Sequence, residues 1–193
     1  MQELSWKMVG MARNGEENKS AFIAVDLVRD FVDLKFGSPE AVKVAEKNLS
    51  LLKKIQGKIP IILTKDTHIQ NDPEFRVWGE HCLEGTEGSE LYGKLGEIGG
   101  RIMPKRHYDA FFGTDLDSYL RDIGINHLFI SGISTDICVM HTVAGAFFRN
   151  YRITVFEDLC CSIEPEKHQT ALNIMKSIYG ITIALSGKAG EFL

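Results

Sequence analysis

The chain has 193 residues, 44% of them hydrophobic and 25% charged, and carries a net charge of −4. This length suits one α/β domain with a substantial core. The mild acidity, with no basic run, argues against a nucleic-acid partner, and apolar stretches of five or six residues fall far short of the ~20 that a membrane helix needs.

Residues 1–20 mix both charges and lack an apolar h-region, so they read as a lead-in to a single domain spanning 1–193 and not as a secretory signal. Short branched apolar runs then follow: Ala21–Val25, Ile59–Leu63, Arg101–Met103, Leu128–Ser131, Ile153–Phe156 and Ile181–Ala184. They are continuous, not alternating, as in strands buried on both faces of a parallel sheet. Helical patterns separate them. Pro39–Ile55 repeats apolar residues at Val42, Ala45, Leu49 and Leu52, and Thr114–Asp122, Asp136–Asn150 and Pro165–Tyr179 behave alike. Strand and helix in alternation imply right-handed βαβ units and a three-layer α/β/α sandwich around a mostly parallel six-stranded sheet. The stretch Thr64–Gly100 has little periodicity. A segment that long in a compact domain is the first place to seek a substrate or metal site.

Strand C-termini of a parallel sheet open on one side, where ligands bind. Asp26 follows the first strand, Lys105 the third, and the fourth leads into Gly132-Ile133-Ser134-Thr135-Asp136-Ile137-Cys138. An acid, a cation and a thiol thus share one edge, most easily if their strands are neighbours and the first strand lies centrally. Ser134, Thr135 and Asp136 are all N-cap residues. They place Cys138 in a first helical turn, where free N–H groups and the helix dipole lower a thiol pKa and can hold an oxyanion. Cys82, Cys138, Cys160 and Cys161 make no disulfide framework in a chain of this size, so they read as reduced cytoplasmic thiols. Cys82 and the 160–161 pair read as small packing groups, and His107, His127 and His168 as surface or capping residues.

GISTDICVMHTVAGAF resembles the nucleophile segment of the nicotinamidase/isochorismatase-like cysteine hydrolases. AVDLVRDF, PKRHYDAFFGTDLDSYL and WGEHCLEGTEGSEL resemble three further motifs of that family, in the family's order. The resemblance implies catalytic roles for Asp26, Lys105 and Cys138, a cis peptide at Ile133–Ser134, and an oxyanion hole made by the N–H groups of Ser134 and Cys138. It also matches Asp66, His68 and His81 to the metal ligands of nicotinamidases. A D-x-H in extended backbone points both side chains to one face, which suits a divalent ion such as zinc; otherwise the two histidines are polar loop residues or substrate contacts. Phe31, Trp78 and Tyr108 are candidates to wall a flat substrate.

The sequence departs from the nicotinamidase pattern at Val28-Arg29, at Thr67 and Ile69, and in the short interval from Lys105 to Tyr108. These departures change the pocket wall and leave the three reacting groups in place. The implied reaction is hydrolysis of nicotinamide through a cysteine thioester. A related hydrolase of another small amide, ureido acid or vinyl ether is the alternative, and a redox-sensing thiol protein the third reading. Family resemblance also implies a homo-oligomer.

Overall fold

The computed structural model describes residues 19–191. The lead-in expected over 1–20 therefore lies, up to residue 18, outside the described residues. The strands are β1 (Ser20–Val25), β2 (Ile61–Asp66), β3 (Arg101–Lys105), β4 (His127–Ile133), β5 (Arg152–Cys161) and β6 (Thr182–Ala184). They form one sheet in the order β3-β2-β1-β4-β5-β6, and every neighbouring pair is parallel. The helices are α1 (Arg29–Val32), α2 (Pro39–Ile55), α3 (Phe75–Trp78), α4 (Leu116–Asp122), α5 (Met140–Phe148) and α6 (Pro165–Tyr179). No helix among the described residues is long and apolar enough to cross a membrane.

Successive side chains of a strand point to opposite faces, and β1 shows why its sequence is apolar throughout. Phe22 and Ala24 pack in one core, Ala21, Ile23 and Val25 in the other. The first core lies under α2, whose Ala41, Ala45, Leu52 and Ile55 face the sheet. Ser38 caps that helix by accepting from Ala41 N at 3.0 Å, and Pro39 fills its first turn. Phe22, Phe129 and Phe156 stack across three adjacent strands in this layer, with centroids 6.0 and 5.7 Å apart. The second core lies under α4, α5 and α6, through Leu120, Val143 and Met175 among others.

Strand order reverses direction between β1 and β4, since β2 and β3 continue to one side and β5 and β6 to the other. At such a point the two connections diverge and leave a crevice beyond the strand ends. Asp26 stands at that crevice. The first strand is central, as expected, but β3 is not its neighbour: β2 intervenes between Asp26 and Lys105.

Candidate active site

Asp26, Lys105 and Cys138 meet in the crevice, 0%, 2% and 4% exposed respectively. Asp26 directly follows β1 and turns out of the sheet with a left-handed φ of 51°. Lys105 ends β3, and only a long stem lets its ammonium reach past β2. Nζ lies 2.6 Å from Asp26 Oδ2, 3.2 Å from Asp66 Oδ1 and 3.7 Å from Cys138 Sγ. It also donates to His107 O at 2.8 Å. The contact with Asp26 is the shortest of the four. Asp26 Oδ2, which has no aligned hydrogen-bond partner, is held by charge.

The buried charges set the protonation of the cluster. Burial would push the Asp66 carboxyl up, but the Lys105 ammonium and the His68 ring outweigh it and hold it at about 2. Burial would likewise lower Lys105, yet Asp26 and Asp66 keep it firmly protonated. Asp26 is raised, chiefly by burial, with Lys105 opposing. Cys138 is raised too, by burial first, and Lys105 only partly offsets that. The resting thiol is therefore neutral, against the expectation that a helix start would make it anionic. The local winding also differs from the expectation. Thr135–Val139 is a wide π-helical turn, and the α-helix begins only at Met140, not at Asp136. Ser134 precedes that turn without capping it. Its Oγ donates to Asp136 Oδ1 at 2.5 Å and accepts from Ile163 N at 3.1 Å. The peptide Ile133–Ser134 is cis.

Asp66, His68 and His81 form a second cluster on the flank of the first, with one potential ligand atom from each within 4.8 Å of the others. Nε2 of His68 and of His81 lie 3.1 and 3.7 Å from Asp66 Oδ2. Their other ring nitrogens face outward partners: His68 Nδ1 is 3.2 Å from Asp72 Oδ2, and His81 Nδ1 is 2.8 Å from Gly79 O. The Gly79 carbonyl thus orients the His81 ring, and both Nε2 atoms are turned inward, as in metal-binding histidines. Burial would lower His68, but Asp66, Asp72 and Glu74 raise it to about 9, so the spot favours positive charge. The donor set fits a divalent cation.

Glu74, which sequence reasoning missed, brings Oε1 to 3.9 and 3.8 Å from the two Nε2 atoms. Its signal was its place eight residues after Asp66 in the aperiodic stretch, which is too weak to single it out. Thr64 and Phe36 were also missed.

A cleft enclosing about 320 Å³, its mouth included, opens in front of Cys138. The expected wall residues Phe31, Trp78 and Tyr108 line it together with Phe36, Ile137, Ile163 and Ser134. Trp78 Nε1 donates to Tyr108 OH at 3.0 Å, which ties the wall from α3 to the segment after β3. Asp66, Glu74 and His81 also face this space, so both clusters open into one cleft.

Other expectations meet mixed outcomes. All four cysteines are free and buried. Cys160 and Cys161 end β5 and pack in different cores, as adjacent strand residues must. His107 is exposed, but His127 is a buried strand residue whose Nε2 lies 3.0 Å from Thr154 Oγ1. His168 is half-buried against Thr135 Oγ1 at 2.8 Å.

Known proteins share this arrangement of strands and sequence. The family model described as "Isochorismatase domain" matches residues 20–186. The "Uncharacterized isochorismatase family protein PncA" of Bacillus subtilis (strain 168) is 35% identical over 181 residues, covering 86% of this chain and 99% of the relative. "Ureidoacrylate amidohydrolase RutB" of Enterobacter sp. (strain 638) is 44% identical over 104 residues, 53% of this chain and 44% of the relative. Among solved structures, nicotinamidase PncA from Bacillus subtilis superimposes with a TM-score of 0.80 at 33% identity, covering 86% of this chain and 99% of that one. N-carbamoylsarcosine amidase from Thermoplasma acidophilum gives 0.78 at 34%, covering 87% and 96%. Pyrazinamidase of Pyrococcus horikoshii in complex with zinc gives 0.78 at 32%, covering 86% and 99%. The chain belongs to the isochorismatase family of hydrolases.

Proposed function

We propose that this chain is a cysteine amidohydrolase acting on a small, neutral, aromatic amide, with nicotinamide as the leading substrate. The observation that carries the reading is the convergence of one ammonium, one carboxyl and one thiol at the floor of an aromatic cleft. Asp26, made more basic by burial, is suited to take the thiol proton as the sulfur attacks the amide carbonyl. Lys105 steadies the negative charge as it moves from carboxylate to sulfur. The N–H groups of Ser134 and Cys138 are assigned to the carbonyl oxygen as it becomes an oxyanion. Protonated Asp26 then delivers its proton to the departing ammonia and leaves a thioester. Asp26 next deprotonates a water, which cleaves the thioester to the acid and restores the thiol.

Asp66, His68 and His81 would hold a divalent ion, zinc by analogy with the Pyrococcus pyrazinamidase. Bound there, the ion supplies a coordination point for a lone pair such as a ring nitrogen. Aromatic residues on the remaining walls suit a flat ring.

A second reading, a ureido-acid hydrolase, is favoured by the RutB relative. Such a substrate carries a carboxylate, and the Lys105 ammonium at the cleft floor is already paired with Asp26 and Asp66. The neutral amide therefore stands first. The redox-sensing reading is weakened by burial, which raises the thiols of Cys138, Cys160 and Cys161, the last to about 12.

The test is ammonia release from nicotinamide and from ureidoacrylate, with and without added zinc, by the wild type and Cys138→Ala. Release from nicotinamide by the wild type alone is expected. Release from ureidoacrylate only would transfer the assignment to the second reading, and release by Cys138→Ala at the wild-type rate would end the cysteine mechanism.

A further inference from the structure

β2 contributes no reacting group to the proposed chemistry, yet it lies between the strands that supply Asp26 and Lys105. Thr64 and Asp66, two residues apart on it, project to the same face. Asp66 meets Lys105 on one side. On the other, Thr64 Oγ1 donates to Asp26 Oδ1 at 2.7 Å and accepts from Asp26 N at 3.1 Å. We propose that Thr64 is a positioning residue for the Cys138 proton: its hydroxyl occupies one oxygen of Asp26, so that the other is presented to the thiol. The inference rests on the reading of Asp26 as the base.

A hydroxyl has a single proton to donate. Because Asp26 N–H already points at Thr64 Oγ1, that proton is committed to Oδ1. The Thr64 hydroxyl thereby ties the carboxyl of Asp26 to the backbone of the same residue, which stands at a left-handed φ. Oδ2 is buried, faces the ammonium at 2.6 Å and has no aligned hydrogen-bond donor. It is the oxygen that the Thr64 hydroxyl leaves unoccupied. In the step so organised the S–H bond breaks, its proton passes to Oδ2, and the sulfur keeps the electron pair that forms the bond to the attacked carbon. Thr64 is fully buried and absent from the cleft lining, so it acts only through Asp26.

The experiment compares Thr64→Val, which keeps the shape, with Thr64→Ser, which keeps the hydroxyl. The first readout is the rate at which iodoacetamide alkylates Cys138, located by peptide mass. There the thiol proton leaves for Asp26, an S–C bond forms and iodide departs, with no amide substrate involved. Thr64→Val should slow alkylation about tenfold or more and lower kcat by a similar factor with KM unchanged, while Thr64→Ser restores both. In an Asp26→Asn background, Thr64→Val should add no further loss. Wild-type alkylation in Thr64→Val, a Thr64→Ser as slow as Val, or additive losses in the double variant would overturn the proposal. Should Thr64→Val not fold, Thr64→Ala carries the same expectations. Slowed alkylation beside a wild type that hydrolyses no amide would uphold the positioning role and reject the substrate.

Discussion

Asp66 and Lys105 are register partners at the ends of β2 and β3, and the carboxylate divides between two clusters. Oδ1 lies 3.2 Å from Lys105 Nζ, and Oδ2 lies 3.1 Å from His68 Nε2. One side chain therefore holds the lysine of the nucleophile cluster and belongs to the proposed cation site. Asp66→Asn keeps the shape and removes the charge. We expect zinc affinity, measured by chelator competition, to fall about 10–100-fold or more. Breaking a buried ion pair should also cost about 3 kcal/mol in urea unfolding, the lower end of the usual range because Lys105 retains Asp26. Unaltered zinc affinity would remove Asp66 from the ligand set.

Tyr108 accepts the indole N–H of Trp78 and so fixes two rings of the cleft wall. Tyr108→Phe keeps the ring and deletes the acceptor. Losing one such hydrogen bond costs about 1 kcal/mol, which corresponds to about a fivefold rise in KM with kcat held. Steady-state kinetics on the best amide decides it; a fall in kcat at constant KM would mean that the hydroxyl touches the reacting atoms instead.

His127 gives the stability a pH dependence with a definite sign. Burial, with Arg152 adding, holds its ring at about 4. The unfolded chain protonates this residue near ~6.5. A histidine depressed in the folded state contributes its full stability above ~6.5, and that contribution is lost as the pH falls toward 4. The loss is at most about 3 kcal/mol. Urea midpoints at pH values near each end should shift toward lower stability with falling pH more in the wild type than in His127→Gln. An equal pH shift in the two proteins would refute the assignment.

Gly132 is the register partner of Val25, the residue before Asp26. Its φ is 129°, and a Cβ there would stand 2.0 Å from Val25 O. Gly132→Ala must displace the end of β1 or of β4, and either shift moves a reacting group. A stability loss of about 3 kcal/mol or more is expected, with activity falling further than the folded fraction, as thermal melts and assays on the same sample will show. Full activity in the folded variant would mean that the two strand ends tolerate separation.

The sheet was readable because a strand covered on both faces must be largely apolar on both, and the inner strands β1, β2 and β4 are written that way, with the edge strands β3 and β6 less so. Pro39–Ile55 and Pro165–Tyr179 carry opening prolines and turn-by-turn apolar spacing, and both helices have those bounds. Asp26, Lys105 and Cys138 were found because each adjoins a strand end on one edge. What escaped the sequence depends on contacts between distant segments. Thr64 reads as one more strand residue until Asp26 is seen beside it. Glu74 acquires meaning only when the chain folds back over His68. The neutral state of Cys138 follows from how deeply neighbours cover it, which local helix chemistry does not encode. His127 carries no mark distinguishing a covered ring from a wet one.

β3 lies at the margin of the sheet and, among the described residues, pairs only with β2. The ammonium of the proposed mechanism therefore rides on a strand tied down along one side only. Marginal strands open before the interior of a fold does. Warming should thus silence the enzyme while circular dichroism still reports a folded chain, and deuterium should enter Arg101–Lys105 ahead of the strands that carry Asp26 and lead to Cys138. Catalytic lifetime would then be governed by the fraying of five residues and not by the collapse of the core.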